Sequence, residues 1–280
     1  MNKLYLIVFL TFLGSVFSSF QKKKSNALTD SQFYTDSIFS KNLGEYRKHN
    51  VYLPKGFNKQ QKYPIIYVTD GTTSLEKNFY KAILDSLIDN KIIKPTILIA
   101  SHSNRKIADS TTNAGDGKKI IFDYRNYEYV ETFKFRTSDP DLCNRFKNHL
   151  LYFKDELIPQ VEKELNQYLQ KNDRFFYGFS NGAGFGANLL NKYPDVIGTY
   201  ICYSTLGSNV GGNEWHQEKI YPDLYLQYGD EESFVYKKES QNLARKYKDS
   251  GSFVELEEYV GGHDYKKWRE GFITTFSKLL

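Results

Sequence analysis

The stretch RFFYGFSNGAGFGANLLNKYP, residues 174–194, decides how this chain is read. FFYGF (175–179) is a short apolar run of the kind a buried strand carries, and the residues from 182 to 193 have helical spacing. Ser180 falls between them, framed as Gly178-Phe179-Ser180-Asn181-Gly182. A G-x-S-x-G triplet alone would arise by chance in roughly one chain of this length in ten. Its place on a strand-to-helix turn changes its meaning. There the serine must hold a strained backbone so that its hydroxyl points out, and the residues two before and two after come too close to carry side chains. Gly178 and Gly182 meet that demand, and the helix N-terminus offers free N–H groups to a developing negative charge. The plain alternative is a tight turn without chemistry.

Outward from this turn, the pattern alternates. Strand patterns occupy 45–54, 63–71, 95–101, 175–179, 199–204, 224–229 and 253–260. Helical patterns occupy 76–90, 144–169 with a break at Pro159, 182–193, 235–249 and 264–278. Such alternation predicts an α/β fold with a mostly parallel central sheet and helices on both faces, in one domain. Residues 102–140 lack clear periodicity, and a connection so long is expected to be functional or loosely ordered.

Composition narrows the class. The chain has 280 residues, 40% hydrophobic and 25% charged, with a net charge of +5 spread among interleaved acids. That predicts a globular core and favours a solvated surface over a nucleic-acid groove, so no nucleic-acid partner is expected. Lys3, the apolar run Leu4–Phe17 and the small Ser18 and Ser19 predict a signal peptide over 1–18. Residues 19–36 then form a polar lead-in and 37–280 the folded domain, secreted or periplasmic, with no membrane span after cleavage. The alternative for the run is a retained anchor. Cys143 and Cys202 are the two cysteines; they exclude a disulfide-stapled scaffold and have no metal-ligand spacing. No metal or cofactor is expected.

In a strand-turn-helix serine site the partners follow in the order Ser, acid, His, each past a later strand. YLQYGDEESF places Asp230, Glu231 and Glu232 past one strand, and EYVGGHDYKKW places His263 past the last. The other four histidines lie in an early strand (His49), a helix (His149) or loops (His102, His216). His263 alone has the right order and position.

With these residues in view, the chain resembles the esterase branch of the α/β-hydrolases, which includes enterochelin-type siderophore esterases, S-formylglutathione hydrolase, feruloyl esterases and mycolyltransferases. The resemblance runs from about residue 37 to the end. Its specific segments are GFSNGAGFGANLLNKYPDVIG and GGHDYKKWRE; VYLPKGF, YPIIYVTDG and FKDELIP support it. It implies an α/β-hydrolase fold, Ser180 as nucleophile and His263 as base. The family acid commonly follows glycine as G-x-x-D. Glu232 holds the matching place in Gly229-Asp230-Glu231-Glu232, a departure that keeps Asp230 as a rival. Ala183 stands where many relatives carry glycine.

The resemblance also implies an oxyanion hole from the backbone N–H groups of Asn181 and Thr72. Asp70-Gly71 and FDYRNYEYV (122–130) look like the siderophore-esterase side, which makes Gly71, Arg125 and Glu128 candidates for the substrate cleft. The alternative for Arg125 and Glu128 is a salt bridge pinning the long loop. Trp215, at the end of GSNVGGNEW, either covers the cleft or packs. The expectation is an exported serine esterase that acts on a small-molecule or glycan ester. An acyltransferase and a non-catalytic binding homologue remain as alternatives.

Overall fold

The computed structural model describes residues 27–72, 74–109, 119–207 and 210–280. The expected signal segment, 1–18, lies outside the described residues. Eight strands form the central sheet: β1 (Gln32–Ser40), β2 (Glu45–Leu53), β3 (Ile65–Val68), β4 (Ile97–Ser101), β7 (Arg174–Phe179), β8 (Thr199–Tyr203), β9 (Asp223–Gly229) and β10 (Val254–Tyr259). A small antiparallel pair, β5 (Ile107–Asp109) and β6 (Phe122–Asp123), stands apart. The sheet order is β1-β2-β4-β3-β7-β8-β9-β10, with β1 and β2 antiparallel and β4 onward parallel.

Two apolar layers sandwich the sheet. Side chains alternate along each central strand, so Ile65 and Tyr67 enter one layer while Ile66 and Val68 enter the other. The first layer takes Phe146 and Leu150 of α3 (Pro140–Leu151), Val161 of α4 (Ile158–Glu164), Leu189 of α5 (Asn181–Lys192) and Leu243 of α6 (Phe234–Asp249). The second takes Leu84 of α1 (Ser74–Asp89) and Trp268, Phe272 and Phe276 of α7 (Tyr265–Leu279). Strands β3, β4 and β8 are buried along their whole length, as continuous apolar runs predict for parallel strands covered on both faces. The fold is that of an α/β-hydrolase.

Three segments differ from the sequence reading. Strand β1 begins at Gln32, inside the expected polar lead-in, because its residues pair in register with β2 from Gln32↔Leu53 to Ser40↔Glu45. An edge strand paired on one side needs little apolar content, which hid it. Among residues 102–140, the short α2 (Tyr124–Tyr129) and a 3₁₀ turn (Glu131–Arg136) follow β6, and Asp123 caps α2 by a reciprocal side-chain pair with Asn126. Helix α3 starts at Pro140 and passes into a wide π turn at Tyr152–Leu157 before α4. The Ile158 N–H reaches back to Phe153 O, so the widening falls just ahead of Pro159, whose ring and missing N–H disfavour an ordinary turn there. Cys143 and Cys202 are both free.

Candidate active site

The parallel strands end together, and the loops past β3, β7, β9 and β10 meet there. Ser180 joins β7 to α5 with φ 54° and ψ −128°, a conformation that costs a non-glycine residue about 1–3 kcal/mol. Neighbouring backbone holds it: its N–H donates to Tyr203 O at 2.9 Å, and its carbonyl accepts from Gly184 and Leu206 N–H. A Cβ at Gly178 would lie 2.8 Å from the Gly182 backbone, and one at Gly182 would lie 2.3 Å from Thr69 Oγ1. Both glycines are sterically required, and the second lets the loop after β3 close against the elbow.

His263 completes a chain of contacts. Its Nε2 is 3.1 Å from Ser180 Oγ, and its Nδ1 is 2.7 Å from Glu232 Oε1. The Glu232 side chain is fully buried, whereas that of His263 is one-third exposed. Burial alone would raise the Glu232 pKa. Hydrogen bonds from His263, from Ser204 and from the Gly229 N–H outweigh it and hold the carboxyl below the usual range. Asp230, the rival, points elsewhere: its Oδ1 accepts the Gly261 N–H at 2.8 Å and ties the turn that carries His263.

Aromatic residues close around this histidine. Trp268 meets the imidazole edge-on at 4.6 Å, stacks on Phe179 at 4.5 Å and donates Nε1–H to Ser204 Oγ at 2.8 Å. Tyr236, in the first turn of α6, faces the imidazole with ring centroids 4.4 Å apart and a tilt of 37°. Periodicity assigns both to helices and nothing more. Their meeting at His263 depends on how α6 and α7 dock.

The loop past β3 carries the other sequence candidates. Gly71 N–H is committed to Ser101 O at 2.8 Å and Gly71 O accepts from Asn50, so Gly71 serves the loop's anchorage. The Thr72 hydroxyl bonds that of Ser103 at 2.6 Å. Arg125 grips both oxygens of Asp70 at 2.6 and 2.7 Å, reaches Asn181 Oδ1 at 3.4 Å and lies over the Tyr129 ring. Its pKa is raised because the Asp70 carboxylate more than offsets the cost of burial. Arg125 therefore braces the elbow from the side.

Glu128 and Trp215 are not brought to this site. Glu128 is fully buried, with Arg47 Nη2 at 2.9 Å and Arg145 Nε at 3.1 Å, because a buried carboxylate needs compensating cations. It does pin the long loop, through partners other than Arg125. Trp215 packs on Tyr221 and Tyr247 and donates to Val210 O, as a partly buried indole must. Among the described residues, no cluster of three or more His, Cys, Asp or Glu side chains is placed to hold a metal.

Solved structures share this architecture. An IroE-like serine hydrolase from Shewanella oneidensis matches with TM-score 0.64 and 16% identity, covering 88% of this chain and 79% of its own. A ferulic acid esterase from Anaeromyces mucronatus, in complex with ferulic acid, matches with TM-score 0.64 and 17% identity over 91% and 92%. The enterobactin esterase of Shigella flexneri, in the presence of enterobactin, gives 0.65 and 15% over 91% of this chain but only 60% of its own. At these identities the likeness speaks for the fold. The family model described as "Putative esterase" matches residues 40–279, so the chain belongs to that family and is a carboxylic ester hydrolase.

Proposed function

We propose that this protein is an exported serine esterase in which Ser180, His263 and Glu232 form the catalytic triad. The observation that carries the reading is the pair of contacts at the two ends of one imidazole, 3.1 Å to Ser180 Oγ and 2.7 Å to Glu232 Oε1. Glu232 is an acceptor, so Nδ1 carries the hydrogen and Nε2 is left to take the Ser180 proton. Ser180 Oγ attacks the ester carbonyl as that proton moves to Nε2. The oxyanion is received by the N–H groups of Asn181 and Thr72; Gly71 N–H, already committed, leaves Thr72 as the loop's donor. The leaving alkoxide then takes the proton from Nε2, and water repeats the sequence on the acyl-enzyme.

The substrate is a small-molecule or glycan ester of the siderophore or carbohydrate type. Support comes from the enterobactin and ferulic acid named for the Shigella and Anaeromyces proteins. Export rests on Lys3 and the apolar run Leu4–Phe17. Among the described residues no helix is long and apolar enough to cross a membrane. The test is fluorophosphonate labelling with peptide mapping, Ser180→Ala alongside. Label on Ser180 that the variant lacks is the expected result. Folded protein that takes no label would make the elbow a structural turn.

A further inference from the structure

The Tyr236 ring covers one face of the imidazole at 4.4 Å, Trp268 closes an edge at 4.6 Å, and Glu232 and Ser180 take the two nitrogens. Burial and the charge of Glu232 raise the Tyr236 pKa, and the neighbouring Ser180 side chain works against them. Tyr236 belongs to the same short segment as Glu232: the strand-end turn sets the acid on Nδ1, and the first turn of α6, entered at Phe234, brings the tyrosine over the ring. Tyr236 is half-buried.

The position of the leaving oxygen follows from proton bookkeeping. That oxygen must come within hydrogen-bond reach of His263 Nε2, because its proton arrives from there. The carbonyl oxygen turns the other way, toward the amides of Asn181 and Thr72. The alcohol half of the ester is thereby confined to the side of Ser180 on which His263 and Tyr236 lie.

We propose that Tyr236 lines the alcohol subsite, its ring fixing the plane of His263 and its hydroxyl donating to the leaving oxygen. This rests on the reading of Ser180 and His263 given above. Burial first, then the charge of Glu232, raises the Tyr236 pKa, so the phenol remains a protonated donor. It lends a hydrogen bond without giving up its proton. The oxygen still receives its proton from Nε2 as the acyl–oxygen bond breaks.

The test compares ethyl butyrate with p-nitrophenyl butyrate in the wild type, Tyr236→Phe and Tyr236→Leu. The two esters give the same acyl-enzyme, but ethoxide must be protonated to leave and p-nitrophenolate need not. Tyr236→Phe is expected to lower the ethyl-to-p-nitrophenyl ratio of kcat/KM about tenfold, as befits one lost hydrogen bond. A ratio unchanged from wild type would overturn the role of the hydroxyl, whatever the absolute rates. Tyr236→Leu, which also removes the ring, is expected to lower kcat on both esters about tenfold further with little change in KM. Leucine and phenylalanine variants of equal kcat would overturn the orienting role of the ring. Wild-type labelling at Ser180 separates these failures from failure of the esterase reading: label with an unchanged ratio sinks this role alone, whereas no label sinks both.

Discussion

Two acidic residues within one turn, Asp230 and Glu232, are separated in role by which backbone each faces. Glu232 is drawn inward by the Gly229 N–H and lies on the imidazole, while Asp230 turns out to cap the Gly261 N–H. Their substitutions should therefore diverge. Glu232→Gln keeps the shape but loses the charge that supports the imidazolium, and kcat is expected to fall about 10²–10⁴-fold. Asp230→Asn keeps an acceptor for Gly261 and should leave kcat/KM within about threefold. Steady-state kinetics on one ester decide it, and equal losses would contradict the assignment. Because hydrogen bonds hold Glu232 below the usual carboxylate range, its carboxylate should stay charged on mild acidification, and protonation of Glu232 should not be what limits activity there. The spacing from Gly229 favoured Glu232, but the choice became visible only with the two side-chain directions.

At the scale of elements, the site depends on how closely the loop after β3 approaches α5. Gly182 is the contact point, since a Cβ there would lie 2.3 Å from Thr69 Oγ1 and 3.3 Å from Asp70 Oδ2. Gly182→Ala would push the loop off the elbow and carry Thr72 with it. The expected effect is a loss of at least about tenfold in kcat, with about 1–3 kcal/mol of stability. Thr69→Ala in the same chain removes the obstructing side chain and should restore part of both. Denaturant unfolding and kinetics on the single and double variants check this; no recovery would place the strain elsewhere. The need for glycine at 178 and 182 was legible from the triplet alone. The identity of the opposing atoms was not, because Thr69 is more than 100 residues away in the chain.

Across the whole molecule, stability is tied to buried charge and buried neutral imidazole. Glu128 lies between Arg47 and Arg145, and the adjoining His149 stacks on Tyr129 and Tyr152. Burial, then the charges of Arg47 and Arg145, pushes the His149 pKa well below its ordinary value, and burial pushes that of His49 down to about 4. Both are neutral in the folded protein, whereas in the unfolded chain they bind protons below about 6.5. The unfolded state therefore binds more protons as pH falls, so stability is fully present above about 6.5 and declines toward 4. For His49 the loss amounts to about 3 kcal/mol over that window. Urea unfolding at pH 7 and pH 5 should show a lower midpoint at pH 5, and His49→Gln should shrink the difference. Equal midpoints would mean that these histidines are not held neutral.

The sequence by itself determined the alternation of strands and helices, the strained turn at Ser180 and the order Ser, acid, His. Each is written in local spacing: period two, period 3.6, and glycines where a side chain cannot fit. For Arg125 and Glu128 the resemblance left open the cleft or a salt bridge pinning the loop, and for Trp215 covering the cleft or packing; the partners each side chain takes came from the fold. Edge strand β1, with one neighbour and an exposed face, carried too little apolar signal to be seen. What only the tertiary structure decided are the contacts between segments far apart in the chain. Glu232 rather than Asp230 meets His263; Tyr236 and Trp268 enclose the imidazole; Arg47 and Arg145 neutralise Glu128. A local pattern fixes which face of an element is apolar. Which side chains meet across the gap depends on how those faces dock, and that is a property of the whole packed core.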